Sequence, residues 1–177
     1  MTHSNPARPW LVLVGLALGV CVNNGFSRFA YGVILPAMKQ DLGWSYAQAG
    51  WLNTANALGY IFGAIVTLWL ITRFSPSRLF SFGVVTTAFC MLFTGLTDSL
   101  MMQSVWRILA GLFGAISFIA GGALAAALFQ DNARNNALAI ALYFGLGGGL
   151  GIILSAPLPL FLEDWGSSSW PYAWIAV

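Results

Sequence analysis

The chain reads WLVLVGLALGVCVNNGFSRFAYGVILPAM from residue 10 to residue 38, an apolar stretch that is interrupted by Asn23, Asn24 and Arg28. A membrane-spanning helix needs about 20 mostly apolar residues, and this stretch is long enough for one. An arginine near the bilayer centre costs about 2.5 kcal/mol or more, so it normally faces the protein interior or a water-filled cavity. The stretch therefore predicts a membrane helix whose polar face points away from the lipid.

The composition of the whole chain also indicates a lipid bilayer as its solvent. Of the 177 residues, 59% are hydrophobic and 7% are charged, whereas an ordinary soluble domain carries about 25% charged residues. Seven lysines and arginines are too few for a nucleic-acid-binding surface. Cys21 and Cys90 both lie in apolar runs, which favours buried thiols over a disulfide or a metal site. The sequence gives no reason to expect a cofactor.

Apolar runs along the chain predict five complete transmembrane helices and the start of a sixth. A cytoplasmic tail is expected at residues 1–9, and the transmembrane domain at residues 10–177. Its predicted helices cover about residues 10–35, 48–71, 79–96, 100–129, 137–162 and 170–177, and Pro36 is expected to close the first. The last run would form only about 12 Å of helix, too short for a hydrocarbon core about 30 Å thick. The fold class is therefore an all-α polytopic membrane protein, and the chain is expected to be truncated.

The basic residues of the loops predict the orientation. Cytoplasmic loops carry an excess of lysine and arginine. With the N-terminus inside, the inner segments hold four basic residues and the outer loops hold one, Lys39. The four are Arg8, Arg73, Arg78 and Arg134. We therefore expect a multi-pass protein of the bacterial inner membrane with a cytoplasmic N-terminus.

Glycines occur at the spacing that suits close helix packing in lipid. Small residues four apart allow two backbones to approach each other, and four such pairs are present: Gly15/Gly19, Gly59/Gly63, Gly111/Ala115 and Gly145/Gly149. The segment GLGGGLG, residues 145–151, is denser than packing requires, and each glycine disfavours a helix by about 1 kcal/mol relative to alanine. The candidate hinge residues are therefore Gly145, Gly147, Gly148, Gly149, Gly151 and Pro157.

Polar residues of three predicted helices gather in the outer half of the membrane, and the second helix contributes Asn53 and Asn56. Asn24, Arg28 and Tyr31 are spaced to share one face of an α-helix, and Arg28 is expected about 12 Å from the outer end at Pro36. Arg107 lies at a similar depth on the fourth helix. No acidic residue falls inside the first five spans, so both arginines need an anion, a carbonyl group or water. A structural role for Arg107, bonded to loop carbonyls or to Asp98, remains an alternative.

The segment GFSRFAYGVILPAMKQDLGWSYAQAGWLNTANALGY, residues 25–60, resembles the first two helices of the YbfB/YjiJ group of the major facilitator superfamily (MFS). RILAGLFGA, residues 107–115, is similar to the fourth-helix motif of that superfamily. The resemblance implies six helices that form the N-terminal half of a twelve-helix transporter. It also places Arg28 and Arg107 on the substrate path, with Asn24 near the midplane, Tyr31 nearer the outer mouth and Tyr143 as a further lining residue.

Two features depart from the superfamily pattern. Ile71 and Thr72 stand where the loop between the second and third helices usually carries an acid, which puts the charge relay of that loop in doubt. The fifth helix has Leu150 after Gly149 in place of the Gly-Pro pair of antiporters, so antiport is not supported.

These observations predict a transporter that moves a small organic solute, with an anionic one favoured by the arginines, by alternating access. Family analogy implies proton linkage. The expected partners are the bilayer, the solute and the C-terminal half of the same transporter. The alternative is a small helical membrane protein that acts as a scaffold without transport, or an inactive truncated remnant. An enzyme is disfavoured because the chain has one histidine, His3, and none of the usual hydrolase motifs.

Overall fold

The computed structural model describes residues 8–176, and in this range the chain forms helices joined by short turns. The all-α class is confirmed. Most of the predicted cytoplasmic tail, residues 1–7, lies outside the described residues, as does residue 177. The six helices are α1 (Arg8–Asp41), α2 (Tyr46–Leu70), α3 (Pro76–Gly95), α4 (Leu100–Ala127), α5 (Ala133–Trp165) and α6 (Trp170–Ala176).

Four of these helices are long and apolar enough to cross a membrane by length and composition, namely α1, α3, α4 and α5. Helix α2, predicted as a span over residues 48–71, is not among them. Its 25 residues would extend about 37 Å, which is sufficient, but Asn53 and Asn56 lower its mean hydropathy. The difference from the predicted five complete spans therefore comes from polar side chains and not from helix length.

The sequence predicts that Pro36 ends α1, but the helix continues to Asp41. A proline ring removes one backbone hydrogen bond and crowds the carbonyl four residues earlier, here that of Gly32. Open space surrounds Gly32, and membrane helices tolerate a proline where other groups satisfy the freed carbonyl. Arg28 lies 13 residues, or about 20 Å, from the C-terminal end of this helix.

The middle of α1, residues Cys21–Ala30, is a π-helix between two α-helical parts, Arg8–Val20 and Tyr31–Asp41. Its hydrogen bonds join residues five apart, so side chains no longer follow the α-helical spacing. Tyr31 is 1% exposed, whereas Arg28 lies on the exposed side. The predicted common face of Asn24, Arg28 and Tyr31 is therefore wrong, since that prediction assumed a regular α-helix.

Helix α4 packs between α2 and α3. Gly59 and Gly63 of α2 lie against the backbone carbonyls of Ile108 and Leu112 of α4, so a Cβ at either glycine would overlap them. Gly111 of α4 lies equally close to the backbone of α2. These glycines allow the two helices to touch along their backbones.

Helix α5 packs along α1, and its glycines divide into two sets. Gly151 meets Gly25 backbone to backbone, and Gly147 lies against Val20. Open space surrounds the other three glycines of the cluster, Gly145, Gly148 and Gly149. Within the described residues, the pair that packs is Gly147/Gly151, because that face of α5 points at α1, and the predicted pair Gly145/Gly149 meets no neighbour.

Helix α5 is interrupted at Ala156 and Pro157, between the parts Ala133–Ser155 and Leu158–Trp165. The interruption lies where the sequence predicts a kink. Beyond α5, a turn of 3₁₀-helix (Ser167–Ser169) leads into α6. The Trp170 indole donates a hydrogen bond of 2.8 Å to the Asp41 carboxylate, which joins the start of α6 to the end of α1.

Candidate functional site

Arg28 lies on an exposed side of the π-helical segment of α1 and reaches across to α2. The central carbon of its guanidinium group lies 4.3 Å from the centre of the Tyr60 ring. An arginine over the face of an aromatic ring is attracted by the ring quadrupole. Tyr60 therefore holds the charge in place and leaves guanidinium N–H groups free for another partner.

A recess of about 400 Å³ opens between α1 and α2 beside Arg28. Asn53 is exposed there, while Asn56 is almost fully buried and contributes to the recess wall. The wall thus combines one cation with amide groups that donate and accept hydrogen bonds. Its lining residues are Arg28, Phe29, Asn53, Asn56 and Ala57.

A second recess, of about 620 Å³, lies between the same two helices, at the C-terminal end of α1 and the N-terminal end of α2. Its polar side chains are Lys39 and Gln40, and the Lys39 amine lies 4.0 Å from the centre of the Tyr46 ring. Arg28 and Lys39 are 11 residues apart, which corresponds to about 16 Å along a helix. Gly32 of α1 faces open space between them. The α1/α2 side of the chain is therefore an open surface with a cation at each recess.

Arg107 is in the opposite environment, with 0% of its side chain exposed. One terminal nitrogen donates a hydrogen bond of 2.7 Å to the Ser27 carbonyl of α1. The guanidinium carbon lies 4.1 Å from the centre of the Tyr31 ring and 5.9 Å from that of Trp174. Arg107 thus joins α4 to α1 and α6 through one carbonyl and two aromatic rings.

Two further contacts close this cluster. Asn56 donates a hydrogen bond of 3.0 Å to the Arg107 carbonyl, and the Tyr31 hydroxyl donates one of 2.8 Å to the Ala49 carbonyl. The carbonyl that Arg107 binds belongs to Ser27 within the α1 helix and not to a loop. Asn56 therefore links the buried arginine to the recess that Arg28 lines.

The other two predicted site residues are not on the open surface. Tyr143 is 0% exposed, and its hydroxyl donates a hydrogen bond of 2.8 Å to the Phe118 carbonyl, so it ties α5 to α4. Asn24 is half-buried, whereas its neighbour Asn23 is buried and donates a hydrogen bond to the Ser117 hydroxyl of α4. The structure thus brings Tyr31 and Arg107 together, and it separates Arg28 and Tyr143 from them.

The sequence reasoning did not anticipate the roles of Tyr60 and Trp174. Tyr60 follows Asn53 by seven residues, so an α-helical projection of α2 could have placed both on one face. Trp174 belongs to the short last apolar run, and no pattern in the sequence indicates that it reaches Arg107. The sequence does not indicate the role of Asn23 either, because the direction of its side chain depends on the π-helical segment.

With this geometry, comparison with known proteins identifies the class as membrane transporters. A family model described as "Uncharacterised MFS-type transporter YbfB" matches residues 20–177. The chain therefore belongs to this family of MFS-type transporters, and it is a multi-pass membrane protein. No solved structure matches it.

Several curated proteins are similar to the chain. A "Putative metabolite transport protein" of Haemophilus influenzae is 32% identical over 94% of this chain. The "Tetracenomycin C resistance and export protein" of Streptomyces glaucescens is 30% identical over 75% of it, and the "Probable galactarate/D-glucarate transporter GudP" of Escherichia coli is 27% identical over 76%. These relatives are transporters, which agrees with the prediction that the protein is not an enzyme.

The chain spans 40%, 24% and 31% of the lengths of these three relatives, in that order. The match agrees with the predicted N-terminal half of a longer transporter.

Proposed function

We propose that the full-length protein moves a small anionic organic solute across the bacterial inner membrane by alternating access, and that Arg28 attracts the solute. The observation that carries the proposal is an exposed guanidinium group midway along a membrane helix, beside a recess of about 400 Å³. A charge at this depth is costly unless it faces water or a partner of opposite sign. An anionic solute in a wet path supplies both.

No acidic residue of the chain lies in the middle part of a helix, where it could neutralise the charge of Arg28. The acidic residues are Asp41, Asp98, Asp131, Glu163 and Asp164, which lie at or beyond the helix ends. A guanidinium group binds a carboxylate through two parallel N–H···O bonds, which suits recognition of an organic acid. The amides of Asn53 and Asn56 would complete the contact by hydrogen bonding to hydroxyl groups of the solute.

The solute would reach Arg28 along the open α1/α2 surface. Lys39 in the outer recess gives a first attraction, and Arg28 a second about 16 Å further along the helix. Clefts with charge of one sign concentrate ligands of the other sign and accelerate their capture. The E. coli relative is named for galactarate and D-glucarate, which are sugar acids. The Streptomyces relative is named for export of tetracenomycin C, so substrate class varies among relatives.

Arg107 would act as a positioning residue in this proposal. Its buried guanidinium group holds the Ser27 carbonyl, and Ser27 precedes Arg28 in the chain. Its contacts with Tyr31 and Trp174 fix α1 against α4 and α6. Asn24 is half-buried and Tyr143 is buried. Both would support the residues that line the solute path, and the solute would reach Arg28 before either of them.

Alternating access requires α5 to change its bend or its packing against neighbouring helices. Gly145, Gly148 and Gly149 have open space around them, so no contact within this chain holds that face of α5. We propose that the other half of the transporter packs there, and that this glycine face and Pro157 adapt as the two halves rock against each other.

Proton linkage would need a group that titrates near neutral pH, such as a carboxylate or a histidine, and the described spans hold none away from the helix ends. We propose that the C-terminal half supplies it. Proteoliposomes with an imposed pH gradient provide the test: proton-linked uptake rises when the gradient favours proton flow in the direction of transport and vanishes with a protonophore. Uptake that ignores the gradient would indicate facilitated diffusion.

The proposed orientation places the N-terminus in the cytoplasm, as the loop charges predict. Two loop serines allow a matched test in intact cells, Ser99→Cys before α4 and Ser75→Cys before α3. A membrane-impermeant thiol reagent should label position 99 in intact cells and position 75 only after permeabilisation. The reverse pattern would invert the topology.

The transport proposal is tested by uptake of a set of radiolabelled organic acids into proteoliposomes. Arg28→Ala should lower uptake at least about tenfold, because a charge-assisted bidentate contact is worth about 1.5–3 kcal/mol. Arg28→Lys should retain part of the activity, since it keeps the charge and loses the fork. Arg134→Ala, an exposed arginine in the first turn of α5, is the control and should transport normally. Equal uptake in Arg28→Ala would remove Arg28 from the mechanism.

A further inference from the structure

A groove of about 470 Å³ runs between α2, α3 and α4, and it shares no lining residue with the recess beside Arg28. Eight of its nine lining side chains are apolar, and the ninth is Arg78 in the first turn of α3. The apolar lining includes Val66, Leu70, Phe74, Phe82, Leu112 and Ile116. The groove is therefore lined by apolar side chains and one cation.

Several large residues around the groove are exposed to the surroundings of the chain. The exposed fraction is 49% for Phe74 and 59% for Phe82. An apolar surface of this kind is stable in a bilayer only against hydrocarbon or another protein. Since the groove opens between membrane-embedded helices, the hydrocarbon at hand is a lipid acyl chain.

Charge at one end of the groove indicates the headgroup of that lipid. Arg78 lines the groove, and the neighbouring Arg73 lies 4.9 Å from the centre of the Trp69 ring. The segment 71–80 that connects α2 to α3 holds both arginines and no acidic residue. Basic pockets between transmembrane helices at the cytoplasmic side bind anionic headgroups, and the loop charges assign this end to that side.

We propose that this groove binds one anionic phospholipid, with an acyl chain along the apolar wall and the headgroup phosphate paired with Arg78. Arg78 lies next to the apolar wall of the groove, just as the phosphate of a phospholipid lies next to its acyl chains. The groove shares no lining residue with the recess beside Arg28, so lipid binding can be measured separately from solute transport.

The test is native mass spectrometry of the full-length protein in a neutral detergent, titrated separately with phosphatidylglycerol and phosphatidylcholine of the same acyl chains. The unmodified protein should retain phosphatidylglycerol in preference to phosphatidylcholine. Arg78→Gln should weaken retention of phosphatidylglycerol about fivefold, the effect of one basic residue near an anionic lipid surface. Retention of phosphatidylcholine should fall less, because the positive charge of choline offsets the charge of its phosphate.

Three controls separate the two parts of the site. Arg134→Gln removes an equivalent charge from the start of α5, outside the groove, and should bind like the unmodified protein. Val66→Phe fills the groove and should weaken retention of both lipids. Excess inorganic phosphate should not displace the lipid, because it cannot occupy the apolar wall.

Equal retention of the two lipids by the unmodified protein would overturn the proposal without any variant. Undiminished phosphatidylglycerol binding in a folded Arg78→Gln protein would overturn it as well, and so would displacement of the lipid by inorganic phosphate. None of these outcomes depends on a transport measurement, so the lipid site and the proposed function can fail separately.

Discussion

The guanidinium carbon of Arg28 lies 4.3 Å from the centre of the Tyr60 ring, across the space between α1 and α2. Arg107 contacts aromatic rings as well, but it has no exposed surface. The two arginines resemble each other in sequence context and differ in environment. Arg28 is exposed, and Arg107 holds α1, α4 and α6 together.

Close packing of Gly25 against Gly151 leads to the first prediction. Gly25→Val and Gly151→Val should each lower thermal stability in detergent, because a side chain would overlap the opposite backbone. Overpacking of this kind costs about 1–3 kcal/mol or more. Gly15→Val, in open space on the same helix as Gly25, is the control. Equal melting temperatures for the three variants would contradict the α1–α5 contact.

Tyr31 gives a second prediction, since its ring and its hydroxyl make different contacts. Tyr31→Phe removes the bond to the Ala49 carbonyl and should cost about 0.5–1.5 kcal/mol. Tyr31→Leu also removes the ring beside Arg107 and should cost about 2 kcal/mol more, because the cation is desolvated. The measurement is thermal unfolding followed by tryptophan fluorescence. Identical losses for the two variants would mean that the ring does not stabilise Arg107.

A third prediction concerns the glycines of α5 that have no neighbours. Replacing Gly145, Gly148 and Gly149 together by alanine should preserve or raise stability, since each glycine costs a helix up to about 1 kcal/mol relative to alanine. Uptake by the full-length protein should nevertheless fall if this face bends or packs during transport. Gly147→Ala, which meets Val20, should instead lower stability. Normal uptake in a stable triple variant would exclude the hinge.

Hydrophobic run length and glycine spacing predict much of the fold. Helices α3 and α4 begin or end within a few residues of the predicted limits, because long apolar runs in lipid have few alternatives to helix. The glycines of α2 and α4 were identified as packing residues from their spacing of four, which a regular helix preserves. The likeness of residues 25–60 to known transporters gave the correct family.

The positions of individual polar side chains could not be predicted in the same way. The π-helical turn at Cys21–Ala30 rotates everything after it, so Arg28 and Tyr31 face different neighbours. Contacts between distant segments, such as Arg107 with Trp174, depend on how helices pack and leave no local pattern. Continuation of α1 past Pro36 depended on the space around Gly32, which a sequence does not reveal.

Accessibility of position 28 is the most direct test of the central claim that Arg28 faces a water-filled path. Both native cysteines are buried, and Cys21→Ala with Cys90→Ala gives a background without thiols. Arg28→Cys and Ser27→Cys are then compared in the full-length protein in membranes, by reaction with a charged, water-soluble thiosulfonate. Ser27 is 2% exposed and adjacent in sequence, so it is the matched control. The account predicts rapid labelling at position 28 and little at position 27. Absence of labelling at position 28 would place it in lipid or dry protein and contradict the claim.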